Sequence, residues 1–372
     1  MAANPHICFV APMAWPVLCE VPGAQAIGGA ELQQVLLARE LAHRGYLVTM
    51  ITFDFGQTEN TTMDGIRVLK TFKPAQGIPF VRFFHPNLSS LWKAMQKADA
   101  DIYYQRTAAY LTGIVCLFAR RHKKKFVYAG AHNSDFVKGS ELLVHARDRW
   151  LFRYGLQRAD AVIVQNGQQK KDCTSSYSAA PFLVPNFYPM PKQQVEKKGD
   201  TILWVGAMRP FKRPELFLDL AGALPEHRFI MIGGADPSRP DYYRAIRQQA
   251  EKRDNLDFLG FQPLGETEKA FDRAALFVNT SLQEGFPNTF LQAWARGVPT
   301  VSFFSPFTGS SNDDRPGIYV NTPEELARNV THLMNTPGER QTSGEQYRQY
   351  YLDHFSPNAV VPQYEAIINR LI

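Results

Sequence analysis

Two α/β units in tandem, each built on a parallel sheet, are predicted by three features of the chain. Its 372 residues exceed one ordinary core at roughly 150 residues per domain. Short β-rich runs alternate with helix-patterned runs, which is the signature of βαβ units. The alternation breaks once, at FLVPNFYPMPKQQVEKKGD (residues 182–200), a Pro-, Lys- and Gln-rich stretch with little apolar periodicity that reads as a linker.

In the first half, HICFVAP leads into AELQQVLLARELAHRG, where Leu32, Val35, Leu36 and Leu41 recur near the helical period. LVTMITF, IRVLKTF and DIYYQR follow as strands. The apolar run AAYLTGIVCLFA (residues 108–119) then reads as a buried helix ending against RRHKKK, whose charge complements the helix dipole. KFVYAGA, a helix around Leu142 to Tyr154, and AVIVQN complete this half. After the linker the pattern restarts with TILWVGA, PELFLDLAGAL, RFIMIGG, YYRAIRQQAEKR, LDFLGF, ALFVNTS, a helix through Gln292, and PTVSF. Two helical stretches parted by Ser356 and Pro357 end the chain. The expected domains are therefore residues 1–187, with a C-terminal helix at 356–372, and residues 200–355. Two such halves should form a cleft, because open α/β sheets bind ligands beyond the carboxyl ends of their strands.

A composition of 45% hydrophobic and 20% charged residues marks an ordinary globular protein. No apolar run approaches the ~18 residues that span a bilayer. The N-terminus lacks a charged leader region and does not read as a signal peptide, so a cytoplasmic location is expected. Cys8, Cys19, Cys116 and Cys173 form no CxxC pair, and the nine histidines no HxH or HExxH, so no metal is expected. Asp99 and Asp101 hint at metal binding but read first as a cap on the turn before the strand IYYQ. Residues 1–185 carry 21 Lys and Arg against 13 Asp and Glu, or +8, leaving 20 against 22, or −2, for the rest. A basic half suits nucleic acid, anionic lipid or a phosphorylated substrate, and charge alone does not choose.

Three strand ends carry candidate chemistry. GGAE (Gly28 to Glu31) opens a helix with glycines that let backbone N–H groups approach an anion, although two glycines at a helix start by themselves read first as a turn. VGAMRPFKRPELF (Val205 to Phe217) sets Arg209, Lys212 and Arg213 just before a helix that starts at Pro214. Cations there are unfavourable against the helix dipole unless something negative is bound, so the stretch reads either as a phosphate site or as a merely solvated loop. EGFPNTFLQAWARGVPTV (Glu284 to Val301) places a carboxylate in a Gly-Pro loop ahead of a helix that Asn288 or Thr289 can cap. Thr289 and Gln292 have the spacing of a capping box.

Together, GGAE, VGxxRxxKRPELF and EGFPNTFLQAxxxGVPTV resemble the retaining glycosyltransferases of family 4, over nearly the whole chain. The resemblance implies the GT-B fold, two Rossmann-like domains facing across a cleft, with C-terminal helices crossing back to the first domain. It implies that Glu284 hydrogen-bonds the transferred sugar and that Gln292 stands where the family has a ribose-binding glutamate; an amide still offers a diol a donor and an acceptor. Lys212 matches the family's phosphate-binding lysine. Arg209 substitutes for an arginine usually placed where this chain has Ala207. Gly28 and Gly29 would lie against the pyrophosphate, His132 near the donor sugar, and Gly206, Phe286, Pro287 and Asn288 in the donor-binding set.

The implied function is a metal-independent transferase with no cofactor, moving a sugar from a UDP- or GDP-sugar to a lipid-linked or glycan acceptor in surface polysaccharide assembly. A nucleotide-sugar 2-epimerase of the same fold and a non-catalytic nucleotide-sugar-binding subunit are the alternatives. A dehydrogenase is disfavoured, since no GxGxxG follows the first strand. No nucleic-acid partner is expected. GIPFVRFFHPNLSSLWKAMQKA (residues 77–98) mixes Phe80, Phe83, Phe84, Leu88, Leu91 and Trp92 with Arg82, Lys93 and Lys97, which suits peripheral contact with an anionic membrane. The other reading is that these aromatics pack inside the first domain.

Overall fold

The computed structural model describes residues 4–19, 28–74, 83–191, 199–307 and 315–372, with the side chains of Phe83 and Phe84 left out. Phe80 and Arg82 of the proposed membrane segment lie outside the described residues, as do residues 192–198 of the expected linker.

The chain divides into two compact units. The first runs to Asn186 and takes back Val360–Ile372, and the second is Phe187–Ala359. In the first, strands β1 (His6–Val10), β2 (Leu47–Thr52), β3 (Thr61–Met63), β4 (Ile66–Lys70), β5 (Ile102–Arg106), β6 (Lys125–Ala129), β7 (Ala161–Val164) and β8 (Phe182–Leu183) form one sheet in the order β3-β4-β2-β1-β5-β6-β7-β8. All pairs are parallel except β3 with β4. The helices are α1 (Trp15–Leu18), α2 (Gly29–His43), α3 (Ser89–Ala98), α4 (Tyr110–Arg121), α5 (Ala146–Leu156) and α6 (Gly167–Tyr177). β5 and β6 are buried almost throughout, because helices cover both faces of a parallel sheet. Tyr103, Phe118, Phe126, Tyr128 and Phe152 fill the core on one side.

The helix expected from Leu142 starts only at Ala146. Residues 142–145 are loop, because the Glu141 carboxylate turns inward to Arg153 instead of continuing a helical face. In the expected membrane segment, Leu91 is buried and Leu88 and Trp92 pack on the core, Trp92 edge-on to Phe118 at 5.0 Å. The part of that segment whose side chains are described therefore turns its apolar residues inward.

The second unit holds β9 (Thr201–Val205), β10 (Arg228–Ile232), β11 (Leu256–Gly260), β12 (Ala274–Asn279), β13 (Thr300–Ser302) and β14 (Ile318–Tyr319) in a parallel sheet ordered β11-β10-β9-β12-β13-β14. Its helices are α7 (Pro214–Ala223), α8 (Pro240–Ala250), α9 (Leu264–Arg273), α10 (Asn288–Ala295), α11 (Pro323–Asn335) and α12 (Pro337–His354). Helix α13 (Pro357–Leu371) follows, its residues from Val360 onward belonging to the first unit. The strand order changes direction between β9 and β12 in this sheet and between β1 and β5 in the first. Such a switch point splays the loops at the strands' carboxyl ends and leaves room for a ligand. No helix among the described residues is long and apolar enough to cross a membrane.

Candidate active site

In the second unit the loops after β9 and β12 are neighbours because their strands are. Thr280, fully buried at the end of β12, ties them together. Its hydroxyl accepts from the Trp204 indole at 2.9 Å and donates to the Lys212 carbonyl at 2.6 Å, while its carbonyl accepts Arg213 Nε at 2.8 Å. The Leu282 N–H donates to the Phe211 carbonyl at 2.8 Å. This stitching brings the two motifs to one point. Lys212 Nζ pairs with Glu284 Oε1, which also accepts from the Ser281 hydroxyl at 2.7 Å. Both side chains are largely buried.

Arg209 makes a second ion pair, from Nε to Asp236 Oδ2 at 3.1 Å, with half of its side chain in solvent. The Ser238 hydroxyl and N–H, with Arg209 beside them, hold the Asp236 carboxyl below its usual range. Pro214 opens α7, and Arg213 caps it in the left-handed region with its guanidinium 4.4 Å from the Phe303 ring centroid. The negative charge that the sequence demanded at this cationic helix start thus comes from Glu284 and Asp236 within the unit. Sequence reasoning missed Asp236, Ser281 and Thr280; each lies in the loop that follows a strand, β10 for Asp236 and β12 for the other two, but no single-residue pattern marks it. The Gly206 carbonyl lies so close to Gly233 that a Cβ there would sit 1.8 Å from it, which is why a glycine ends the neighbouring strand's turn.

The expected capping box is absent. Pro287 holds the N-cap of α10 without a side-chain cap, so Asn288 and Thr289 fall inside the first turn and Gln292 lies a turn deeper. There Gln292, only 3% exposed, faces α9. Its Nε2 donates to Glu268 Oε1 at 2.8 Å and to the Tyr188 hydroxyl at 3.3 Å. Glu268 also accepts from Tyr188 at 2.5 Å and pairs with Arg296, which in turn holds Asp272 at 2.6 Å. Burial alone would lower the Arg296 pKa, but these two carboxylates raise it. Phe286 and Pro287 are buried, Phe286 packing 4.9 Å from Phe355 between ring centroids.

In the first unit, Gly28 caps α2 and the Glu31 side chain folds back over it, so that a Cβ on Gly28 would meet Glu31 Oε2 at 1.9 Å. Desolvation raises the Glu31 pKa, opposed by its own backbone N–H and by Arg106. Arg106, buried at the end of β5, donates to Asn186 at 2.7 Å. Gly29 is the first residue of the helix. His132 ends the turn after β6 and caps Asn133–Phe136: its Nδ1 accepts the Ser134 N–H at 3.2 Å and its own N–H donates to Asp135 Oδ2 at 3.2 Å. An accepting Nδ1 leaves the neutral ring's proton on Nε2. Among the described residues no group of three or more metal-ligating side chains comes together. Asp99 instead pairs with Lys124, and Asp101 accepts the His6 N–H at 2.9 Å.

A family model described as Glycosyl transferases group 1 matches residues 199–336, and one described as Glycosyltransferase Family 4 matches residues 27–189. The chain belongs to the group 1 glycosyltransferases. It is a glycosyltransferase with the two-domain α/β GT-B fold. This glycosyltransferase is 24% identical over 353 residues to a D-inositol 3-phosphate glycosyltransferase of Mycobacteroides abscessus, covering 85% of this chain and 79% of that one. Over 124 residues it is 28% identical to an alpha-monoglucosyldiacylglycerol synthase of Acholeplasma laidlawii, a match that spans 33% of this chain and 31% of that protein. Its fold is like that of Anabaena HepE, solved in complex with UDP-glucose, with a TM-score of 0.77, 15% identity, and 99% and 100% of the two chains covered.

Proposed function

We propose that the protein is a retaining transferase that takes a sugar from a UDP- or GDP-sugar and delivers it to a lipid-linked or glycan acceptor during surface polysaccharide assembly at the inner face of the cell membrane. The convergence of Lys212 and Glu284 carries this reading. A nucleotide-sugar breaks at the bond between its anomeric carbon and the diphosphate oxygen, with positive charge growing on the ring and negative charge on the leaving group. A cation and a sugar-binding carboxylate held together by a stitched loop match those two needs. Lys212, helped by Arg209, meets the diphosphate once their carboxylate partners yield to it. Glu284 accepts from sugar hydroxyls, and Gly206, Phe286, Pro287 and Asn288 shape the donor site through their loops. In the first unit, Gly28 and Gly29 offer N–H groups to the pyrophosphate, and His132 offers Nε2–H to the sugar. The acceptor oxygen bonds the anomeric carbon on the face the diphosphate leaves, and its proton passes to the departing phosphate oxygen. This route calls on no enzyme nucleophile, cofactor or metal. The UDP-glucose complex of HepE and the lipid product named for the A. laidlawii relative support the donor and acceptor classes.

Incubation with a panel of nucleotide-sugars tests the proposal. One donor should be hydrolysed or transferred, and that donor at one hundred times its Kd should add roughly 2.7 kcal/mol of stability. A folded sample that binds a donor without turnover would establish a binding subunit instead. Glu284→Gln should lower kcat by about 2 kcal/mol, since one charge-assisted hydrogen bond to the sugar becomes neutral, while free UDP or GDP binds as before. Equal loss of nucleotide affinity would move Glu284 from the sugar to the nucleotide.

A further inference from the structure

The loop and helix at residues 137–158 display apolar side chains on a platform built to hold them in place. Leu142 is 76% exposed, Val144 87% and Trp150 63%. Three such residues within nine positions differ from scattered surface apolar residues, which need no explanation.

The backbone beneath them is pinned. The Glu141 side chain is fully buried, with its carboxylate accepting from Arg153 Nε at 2.7 Å and Nη2 at 3.1 Å, from the Gly139 N–H at 2.7 Å and from the Tyr177 hydroxyl at 2.9 Å. Burial pushes that carboxyl up, but these partners hold it down at about 2. Arg149 Nη1 donates to the Leu143 and Val144 carbonyls at 2.8 and 3.1 Å, and Leu143 packs on the core. Glu141 and Leu143 point in; Leu142 and Val144 point out. Helix α5 is locked in turn against α4, where a Cβ on Gly113 would lie 2.4 Å from the Leu151 carbonyl and one on Gly155 2.4 Å from that of Thr112.

The outer face of α5 continues the display. Trp150 stacks on Tyr154 with ring centroids 5.7 Å apart, and the Arg158 guanidinium lies 4.3 Å from the centroid of the Tyr154 ring. Between residues 137 and 158 the cations are Lys138, Arg147, Arg149, Arg153 and Arg158 against Glu141 and Asp148, five against two. Glu141 is spent on Arg153 and Asp148 on Arg147. The surface is therefore apolar at its tips and positive around them.

We propose that this face docks the enzyme on an anionic lipid surface, with Leu142, Val144 and Trp150 entering the headgroup region and the surrounding cations lying at phosphate level. Apolar tips suit the acyl boundary, a tryptophan the interface, and one-signed charge the anionic leaflet. Because the platform is ordered before contact, little conformational entropy is lost on docking. The proposal rests on the lipid-linked acceptor reading and names the surface that serves it, replacing the segment at residues 77–98.

Co-sedimentation with vesicles of phosphatidylcholine containing phosphatidylglycerol, and with phosphatidylcholine alone, tests it. The wild type should pellet with the anionic vesicles at low salt and much less with neutral ones. The triple substitution Leu142→Ser, Val144→Ser, Trp150→Ser should weaken partitioning about tenfold or more while its thermal midpoint stays at the wild-type value. Lys138→Glu with Arg158→Glu, which leaves the apolar tips in place, should weaken it similarly on anionic vesicles. Lys93→Glu, in the segment replaced, should change nothing. Failure of the wild type to pellet overturns both the membrane reading and this proposal. Undiminished pelleting of the triple variant, or loss with Lys93→Glu alone, overturns this surface but leaves membrane docking standing. Wild-type dimerisation abolished by the triple substitution assigns the face to a second copy and overturns the proposal.

Discussion

Replacing Lys212 with alanine is expected to lower kcat/KM for sugar transfer by about 3 kcal/mol, on the order of a hundredfold, because one preorganised positive donor to the leaving diphosphate is lost. The fold should survive. The loop that carries Lys212 is held through its own carbonyl, the Phe211 carbonyl and Arg213, none of which involves the ammonium group. Loss of the largely buried ion pair leaves the Glu284 carboxylate with only the Ser281 hydroxyl among the described residues and should cost about 2 kcal/mol of stability. Steady-state kinetics on a well-folded variant check this, and an unchanged kcat/KM would remove Lys212 from the phosphate site.

The pairing of Lys212 with Glu284 makes a finer distinction possible. If each residue meets its own part of the donor, one the phosphate and the other the sugar, the losses in Lys212→Ala and Glu284→Gln should nearly add in the double variant. If Lys212 acts only by holding Glu284 in place, the double variant should be no worse than Glu284→Gln alone. Two residues in contact couple to some degree in either case, so the magnitude of the non-additivity is the informative quantity.

What could be read from the sequence follows from how local each determinant is. Strand and helix order was legible because apolar periodicity is written into each segment, and the loops bearing Lys212 and Glu284 could be placed at strand ends for that reason alone. That these two residues touch was not legible. It depends on β9 and β12 being neighbours, a property of sheet order that no short window contains. Gln292 shows the same limit at one residue. Its spacing from Thr289 fits a capping box, but Pro287 claims the cap and α9 supplies Glu268, an acceptor 24 positions away in sequence. The loop at 142–145 was misread as helix because the inward turn of Glu141 is set by Arg153 and Tyr177, again a contact between elements.

Gln292→Glu carries the largest expected effect on stability, about 3 kcal/mol of destabilisation at pH 8. The resemblance alone would favour the carboxylate, since the family has glutamate at this place and a charged acceptor binds a ribose diol more strongly. The surroundings in this chain oppose it. Gln292 is almost fully buried, and its amide nitrogen donates to a carboxylate, so an ionised carboxylate in its place would lose that bond and face Glu268 at close range. Arg296 already serves Glu268 and Asp272, and a third acid would be left without a cation. The new carboxyl's pKa must therefore be raised in the folded state by burial and by Glu268. A raised pKa means that the folded protein holds its proton over a pH range in which the unfolded chain has released it. The penalty is then absent below about pH 4.3 and grows as pH rises toward the folded value. Urea unfolding of wild type and variant at pH 5 and pH 8 should show a stability gap that is wide at the higher pH and narrow at the lower; a gap independent of pH would rule out the charge conflict. Adding Glu268→Gln to the variant moves the single carboxylate from α9 to α10 and restores a donor opposite it, so the double variant should regain most of the lost stability at pH 8. Recovery would identify the contact with Glu268 as the physical reason that an amide fits this position in this chain.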